Sequence, residues 1–263
     1  MTYNLEIKIK RATKKSNLPP LLFIHGAWHG AWCWYNFLDY FLEKGFDCYA
    51  PSLCGHGKSD NKKSLKTTRL DDYVENVRSV VDSIFSETGK KPVIMGHSMG
   101  GLIVQKYLET DHDIPKAVLL APVPRHGVWQ TTLRMTGRLP LAFIKVNLTW
   151  SLWPLVSTKE RTQKAFFSKN IPDNKLNEYF LQMQDESYLG FWDMLIFRLP
   201  SPKKVKTPML VLGAENDTIF SVKEIKSTAK AYGTQAVIFE DMAHDMMLEK
   251  NWKKVANYII TTI

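Results

Sequence analysis

Short apolar runs of four or five residues alternate along this chain with longer segments in which apolar positions recur every three or four residues. The short runs predict buried strands at residues 21–24, 92–95, 117–121, 209–212 and 236–239. The longer segments predict amphipathic helices at residues 32–44, 70–85, 101–110, 222–232 and 248–260. Strands that alternate with helices in this way favour an α/β fold, with a mainly parallel, doubly wound sheet covered by helices on both faces.

The alternation of strands and helices is interrupted by a segment without any buried-strand pattern, residues 125–202. We therefore expect one core, made of residues 1–124 and 203–263, with residues 125–202 inserted as a helical cap over the strand ends. This insertion is rich in aromatic residues and methionine. Most of them should form the core of the cap itself, and some should line an apolar substrate pocket.

The sequence Gly96-His97-Ser98-Met99-Gly100 lies where the second predicted strand turns directly into a helix. A serine in so tight a junction has strained backbone angles, and its neighbours come so close that positions 96 and 100 favour residues without a Cβ. The pattern predicts a nucleophile elbow with the Ser98 hydroxyl exposed. The alternative is a plain glycine turn with a capping serine.

Serine is a weak nucleophile at neutral pH, so Ser98 requires a base and a group that orients the base. Among the seven histidines, His244 is the best candidate, because it lies in a loop directly after the last predicted strand. The preceding strand, 209–212, is followed by two carboxylates, of which Asp217 is the preferred acid and Glu215 the reserve. The alternatives are an exposed loop histidine and a simple Asn-Asp turn.

An oxyanion hole requires backbone amides near the serine. The amide of Met99 is one candidate, and that of Ala27 is the other, because Ala27 follows the first predicted strand and a glycine that permits close approach. His25, at the end of the same strand, should fix this loop rather than take part in chemistry. Trp28 is expected to line the substrate pocket, although it could also belong to the core.

The order of serine, acid and histidine, each directly after a strand, resembles the α/β-hydrolase superfamily from about residue 20 to the C-terminus. The block at residues 25–32 is similar to that of the plant methylesterase and hydroxynitrile lyase branch. Together with residues 33–34 and 244–248, it resembles more closely a group of small, mostly uncharacterised bacterial serine hydrolases. This resemblance implies the fold and the triad Ser98, Asp217 and His244, but it does not supply a substrate.

Two positions distinguish this chain from the lyases of that branch. Those lyases carry threonine after the strand-end histidine and lysine after the catalytic histidine, whereas this chain has Gly26 and Asp245. Dehalogenases and epoxide hydrolases of the same fold need a carboxylate nucleophile, so the serine at position 98 excludes their mechanism.

We therefore expect hydrolysis of a carboxylic ester through an acyl-enzyme, without a metal or organic cofactor. Hydrolysis of another bond, such as a carbon–carbon bond, and a receptor-like protein with slow turnover stay open.

Composition and charge restrict the compartment and the partners. Three cysteines, an odd number without metal-ligand spacing, argue against a disulfide framework and for a reducing compartment. Residues 1–15 predict a half-exposed strand rather than a signal peptide, so a cytoplasmic location is expected. The net charge of +9 comes from dispersed lysines without a nucleic-acid motif, so we expect no nucleic-acid partner.

No run of apolar residues is long enough for membrane insertion. Segment 139–156 could rest on lipid, but Pro140 and Pro154 interrupt any long amphipathic helix there. The expected partner is a small hydrophobic ester, and the oligomeric state is unknown.

Overall fold

The structure is a computed structural model that describes residues 4–13 and 17–263. Within these residues, seven strands form one sheet in the order β1-β3-β2-β4-β5-β6-β7. The β1 strand runs antiparallel to β3, and every other neighbouring pair is parallel. The strands are β1 (Ile7–Lys10), β2 (Leu21–Ile24), β3 (Cys48–Pro51), β4 (Val93–His97), β5 (Ala117–Leu120), β6 (Met209–Ala214) and β7 (Ala236–Phe239). The predicted mainly parallel sheet is therefore confirmed.

Ten α-helices accompany the sheet in the described part of the chain, and five of them lie between β5 and β6. Those outside this interval are α1 (Tyr35–Glu43), α2 (Leu70–Thr88), α3 (Met99–Tyr107), α9 (Val222–Ala231) and α10 (Trp252–Ile260). Those inside it are α4 (Trp129–Arg138), α5 (Pro140–Thr149), α6 (Lys159–Phe166), α7 (Asp173–Gln182) and α8 (Tyr188–Trp192). The interval contains no strand among the described residues and coincides with the segment predicted as a cap, whose division from the core stays a prediction.

The strands from β2 to β6 are buried along their whole length, because helices cover the sheet. Helices α1 and α10 pack on each other, with the rings of Phe37 and Trp252 6.0 Å apart. Helix α3 follows β4 directly and contacts β2, β4 and β5. This arrangement places the start of α3 at the centre of the carboxyl edge of the sheet, where the loops after the neighbouring strands converge.

Several element bounds differ from the predictions by two or three residues, such as those of α1 and α3, and two larger differences have a physical cause. Strand β3 was not predicted, because its four residues, Cys48–Pro51, include a proline and a cysteine and form no distinct apolar run. Helix α10 begins at Trp252 and not at 248, because residues 245–249 form tight turns, with the amide of Leu248 donating to the carbonyl of Asp245 at 2.8 Å.

Two further findings concern the exposure of β1 and the length of the helices. Strand β1 is half exposed, as the alternating pattern predicts, while residues 1–3 and 14–15 of that predicted segment lie outside the described residues. Among the residues with described positions, no helix combines the length and the apolar character that crossing a bilayer requires.

Candidate active site

Ser98 lies between β4 and α3 with strained backbone angles, φ 52° and ψ −117°. Its amide donates to the carbonyl of Leu120 at 3.0 Å, which ties the turn to β5. A Cβ at Gly96 would lie 2.5 Å from the carbonyl oxygen of Gly100, and one at Gly100 would lie 2.4 Å from that of Ile24. Both glycines are therefore required by close backbone contacts, so the turn has the geometry of a nucleophile elbow.

His244 and Asp217 form a hydrogen-bonded pair in the structure. Nδ1 of His244 lies 2.8 Å from Oδ2 of Asp217, and both side chains are 0% exposed. The other carboxylate oxygen of Asp217 accepts the amides of Ile219 at 2.7 Å and Phe220 at 3.0 Å. These bonds fix the carboxylate, and the His244–Asp217 bond leaves Nε2 as the free nitrogen of the ring. Glu215, the reserve acid, is exposed.

Nε2 of His244 is buried, and no described residue forms a hydrogen bond with it. The imidazole packs against the rings of Phe220, with centroids 5.4 Å apart, and Phe166, at 6.1 Å. Ser98 therefore does not hydrogen-bond to His244 in this conformation. Catalytic hydrogen bonds are often long without substrate and tighten only when it binds.

The amides of Ala27 and Met99 are both available near Ser98. Neither donates a hydrogen bond to another described residue, and the two residues are 6% and 1% exposed. Ala27, Met99 and Ser98 line the same cavity. Unpaired buried amides are rare in proteins, so two of them beside a strained serine favour a site that binds an oxygen with negative charge.

Trp28 is fixed in an unusual conformation at the edge of this cavity. Its φ is 64°, its amide donates to Oε2 of Glu186 at 3.3 Å, and its carbonyl accepts the amide of Gln184 at 3.1 Å. The indole lines the cavity of Ser98, while its Nε1 is buried and has no partner among the described residues. Trp28 therefore lines the cavity of Ser98, and two residues from the segment between β5 and β6 hold its backbone. Its contact with substrate stays a prediction.

The cavity beside Ser98 has a volume of about 80 Å³ and apolar walls. The core contributes Val123, Ile219 and Phe220, besides the loop residues already described. The segment between β5 and β6 contributes the remaining walls, formed by Val128, Thr131, Thr132, Met135, Phe143, Leu152, Leu155, Phe191 and Met194. None of the lining residues carries a charge, which favours an uncharged, apolar ligand group.

A second buried acid–histidine pair, His29 and Asp245, lies beside the His244 loop. Nε2 of His29 lies 2.9 Å from Oδ2 of Asp245, and Nδ1 of His29 lies 2.6 Å from the carbonyl oxygen of Ala27. The carbonyl of Ala27 and the ionised carboxylate of Asp245 can only accept hydrogen bonds. Both ring nitrogens of His29 therefore carry protons, so His29 is an imidazolium ion.

The pKa directions agree with this charge assignment. Burial is the largest single influence on His29 and lowers its pKa, but the Asp245 carboxylate, the Ala27 carbonyl and Glu186 together leave that pKa above its ordinary value of 6.5. Burial alone would raise the pKa of Asp245, but His29 outweighs it and leaves that pKa below its ordinary value. The ion pair therefore connects the Ala27 loop to the residue that directly follows His244.

His97 has a structural role beside this pair. Its Nε2 donates to the carbonyl of His244 at 3.0 Å, and burial, together with the neighbouring His244, lowers its pKa to about 3. The side chains of His97, His244 and Asp245 each offer one ligand atom within 4.8 Å of the others, so they are the described residues that could hold a metal ion. Such an ion would occupy a nitrogen of His244, so this histidine cannot serve as a metal ligand and as a base at the same time.

Glu186 connects the loops of Trp28 and His56 with helix α2. It is fully buried, with one oxygen 3.1 Å from Nε2 of His56 and the other accepting the hydroxyl of Tyr73 at 2.9 Å. Burial would raise the pKa of Glu186, but His56 outweighs burial and lowers it. Because the same carboxylate accepts the amide of Trp28, it fixes the loop that carries Ala27.

His25 fixes the same loop, as the sequence analysis expected. Its Nε2 accepts the amide of Leu53 at 2.9 Å, and its Nδ1 lies 2.8 Å from the carbonyl oxygen of Gly26. Burial lowers the pKa of His25 well below its ordinary value, so the ring is neutral.

Sequence reasoning missed His29, Asp245 and Glu186 as parts of the site. Asp245 was noted only as a departure from the lyases, and Glu186 lies in a segment without a motif. The available signal was a histidine two residues after Ala27 and an acid directly after His244. A charged residue beside a predicted catalytic base is expected to have a partner when the loop is buried.

A family model described as the alpha/beta hydrolase family matches residues 21–258. The chain belongs to this family, which confirms the resemblance found in the sequence. Pheophorbidase of Raphanus sativus is 35% identical over 232 residues, covering 85% of this chain and 86% of the relative. Methyl jasmonate esterase 1 of Vitis vinifera is 31% identical over 88 residues, covering 34% and 33%. The match therefore spans about a third of that esterase's length.

A solved structure of an esterase from Exiguobacterium antarcticum has the same fold. It superposes with a TM-score of 0.75 at 16% sequence identity and covers 98% of this chain and 95% of that one. The likeness extends over the segment between β5 and β6 as well as the sheet.

Proposed function

We propose that the protein is a serine hydrolase that cleaves a carboxylic ester through an acyl-enzyme on Ser98. The observation that carries the proposal is the His244–Asp217 pair, whose 2.8 Å bond leaves the second ring nitrogen free, in a site whose elbow serine lines an apolar cavity. Asp217 holds the ring in the tautomer with a proton on Nδ1, so that Nε2 can accept a proton.

The proposed reaction has two halves. Nε2 of His244 removes the Ser98 proton as Oγ attacks the ester carbonyl, and the resulting imidazolium returns that proton to the leaving alcohol. Water then attacks the acyl group on Ser98 while His244 takes its proton, and the imidazolium returns that proton to Oγ of Ser98 as the carboxylic acid leaves. The buried Asp217 carboxylate stabilises the imidazolium in both halves.

The amides of Ala27 and Met99 are the proposed oxyanion donors. Met99 is the first residue of α3, so the positive end of the helix dipole adds to the field at the developing charge. The loop of Ala27 is held by the His29–Asp245 ion pair and by Glu186, so its amide is already positioned before substrate binds.

The substrate class follows from the cavity. About 80 Å³ of uncharged, mostly apolar space beside Ser98 fits a small hydrophobic group and excludes a charged one. The names of relatives, methyl jasmonate esterase 1 and pheophorbidase, support an ester substrate. In this proposal residues 125–202 act as the cap, because they supply most of the cavity wall. A cytoplasmic location stays a prediction.

The experiment that tests the proposal is labelling with a fluorophosphonate, followed by peptide mapping and an ester-library screen. We expect one adduct, on Ser98, that is absent in Ser98→Ala and strongly reduced in His244→Ala. Asp217→Asn should lower kcat/KM by about 10⁴-fold, because the wrong tautomer is favoured. Glu215→Gln is the matched control, because Glu215 is an exposed carboxylate two residues before Asp217. This variant should retain activity.

Other outcomes would contradict the proposal. A folded protein that is not labelled, but binds an apolar ligand saturably without turnover, would favour the receptor-like alternative. Labelled protein that cleaves a carbon–carbon bond and no ester would retain the nucleophile and overturn the substrate class. Loss of activity in Glu215→Gln, but not in Asp217→Asn, would move the acid to Glu215.

A further inference from the structure

Helices α4 and α5 expose a set of large apolar side chains to solvent. On α5, Leu141, Ile144 and Leu148 are 80%, 57% and 79% exposed. On α4, Trp129 and Leu133 are 47% and 64% exposed. The three α5 positions recur at helical spacing and therefore share one face. We call these five side chains the outer face. No described residue buries them, and exposed apolar residues concentrated on two adjoining helices are typical of an interaction surface.

The inner sides of the same two helices are packed. Ala142 and Val146 of α5 are buried, while Met135 of α4 and Phe143 of α5 line the cavity beside Ser98. The exposure of the outer face is therefore not caused by poor packing of the helices. Pro140 is the first residue of α5, so it separates two short helices without disrupting either.

Positive charge dominates the segment that carries the outer face, while Glu160 lines a surface depression together with Arg138 and Glu224 lines one together with Trp129. The sequence contains no aspartate or glutamate between Asp113 and Glu160, and this interval contains six lysines and arginines, namely Lys116, Arg125, Arg134, Arg138, Lys145 and Lys159. Arg134 pairs with Glu224 at 3.1 Å. Arg138 and Lys145 are exposed and have no carboxylate partner in the described part of the chain.

Lys145 lies beside the α5 side chains of the outer face. It follows Ile144 directly and stands four residues after Leu141 and three before Leu148, so the helix places its ammonium group on the same side as these apolar side chains. Helices that combine leucine and tryptophan with lysine and arginine in this way bind at the boundary between lipid headgroups and acyl chains.

We propose that the outer face docks the protein reversibly on a membrane surface that carries anionic phospholipids. The apolar side chains enter the headgroup region, while Arg138 and Lys145 contact lipid phosphates. Each helix has ten residues, about 15 Å in length, so both lie along the surface and do not cross the bilayer. A second copy of the chain fits less well, because its own outer face would bring the same positive charges together.

The test is co-sedimentation of the full chain with vesicles of phosphatidylcholine alone or of phosphatidylcholine mixed with phosphatidylglycerol. We expect binding to the anionic vesicles that weakens as salt is raised. The double variant Leu141→Ser/Leu148→Ser should weaken binding by roughly tenfold or more, because it removes the two most exposed apolar groups. Lys145→Gln should weaken it by about fivefold, the effect of one basic residue near an anionic surface.

The matched control is Leu181→Ser, because Leu181 is 72% exposed on α7 and does not belong to the outer face, so its loss should leave vesicle binding unchanged. Circular dichroism and urea unfolding show whether each variant stays folded, and neither is expected to change. Equal binding to both kinds of vesicle, no binding, or equal weakening by Leu181→Ser would overturn the proposal. A dimer that the double variant dissociates would assign the outer face to a second copy instead. None of these outcomes depends on the proposed ester hydrolysis.

Discussion

Replacing Asp245 with asparagine should remove more stability than the loss of an exposed carboxylate, because the substitution leaves a buried imidazolium without its counter-charge. The side chains of His29 and Asp245 are 1% and 0% exposed, and the two charged atoms lie 2.9 Å apart. Removing one partner of a buried ion pair typically costs about 3–5 kcal/mol. At roughly 2–4 °C per kcal/mol for a chain of this size, Tm should fall by about 6–20 °C.

The pH dependence of this loss follows from the two pKa directions. The raised pKa of His29 contributes stability that is complete below about pH 6.5 and is lost as the pH rises through the folded-state value. The lowered pKa of Asp245 contributes stability that is complete above about pH 4 and is lost as the pH falls through its folded-state value. The difference between the protein and Asp245→Asn should therefore be largest between about pH 4 and 6.5.

The assay is urea unfolding followed by the fluorescence of the eight tryptophans, at about pH 5.5 and at alkaline pH. His29→Gln and the double variant complete a thermodynamic cycle, and the free energies of the two single changes should not add. Glu178→Gln is the control, because it breaks an ion pair with Lys175 in which both side chains are about half exposed. It should change the free energy of unfolding by less than about 1 kcal/mol. Additive free energies in the cycle, or a loss below about 1 kcal/mol in Asp245→Asn, would refute the ion pair.

Three further predictions concern other buried groups. Gly26→Ala should lower kcat of the proposed hydrolysis by about 10²-fold or more. The reason is that the new Cβ would lie 2.9 Å from Nδ1 of His97 and displace the loop that carries Ala27. Unchanged steady-state kinetics would contradict this prediction. Glu186→Gln should cost about 3 kcal/mol in urea unfolding, because His56 loses its buried carboxylate. The three cysteines should not react with a thiol reagent at about pH 8 until the protein unfolds. All three are buried, and burial raises the pKa of Cys54 to about 12. Rapid labelling of the folded protein would contradict this prediction.

The elbow could be predicted in detail because its requirements are local. The close contacts at Gly96 and Gly100 and the strained angles of Ser98 arise within five residues, so the residue types themselves report them. The hydrophobic runs predicted five of the seven strands of the described sheet, and alternation indicated β1. Strand β3 escaped prediction because its burial is imposed by β1 and β2, which flank it, and not by an apolar run of its own.

Which of Asp217 and Glu215 meets His244 could be seen only in the tertiary structure. Both follow β6, and their spacing along the chain does not decide which one reaches a histidine 27 or 29 residues later. The structure turns Asp217 toward His244 because its other oxygen accepts two backbone amides, while Glu215 faces solvent.

The sequence by itself determined the succession of strands and helices, the elbow serine and the loops from which its partners come, because periodicity and local steric limits are written in neighbouring residues. Only the tertiary structure decided the long-range pairs. His29 and Asp245 are 216 residues apart, and Glu186 meets His56 across 130 residues. Their charges are stable only where folding removes water and brings the partners within hydrogen-bond distance. The same holds for the outer face, since exposure depends on which side of each helix the rest of the chain covers.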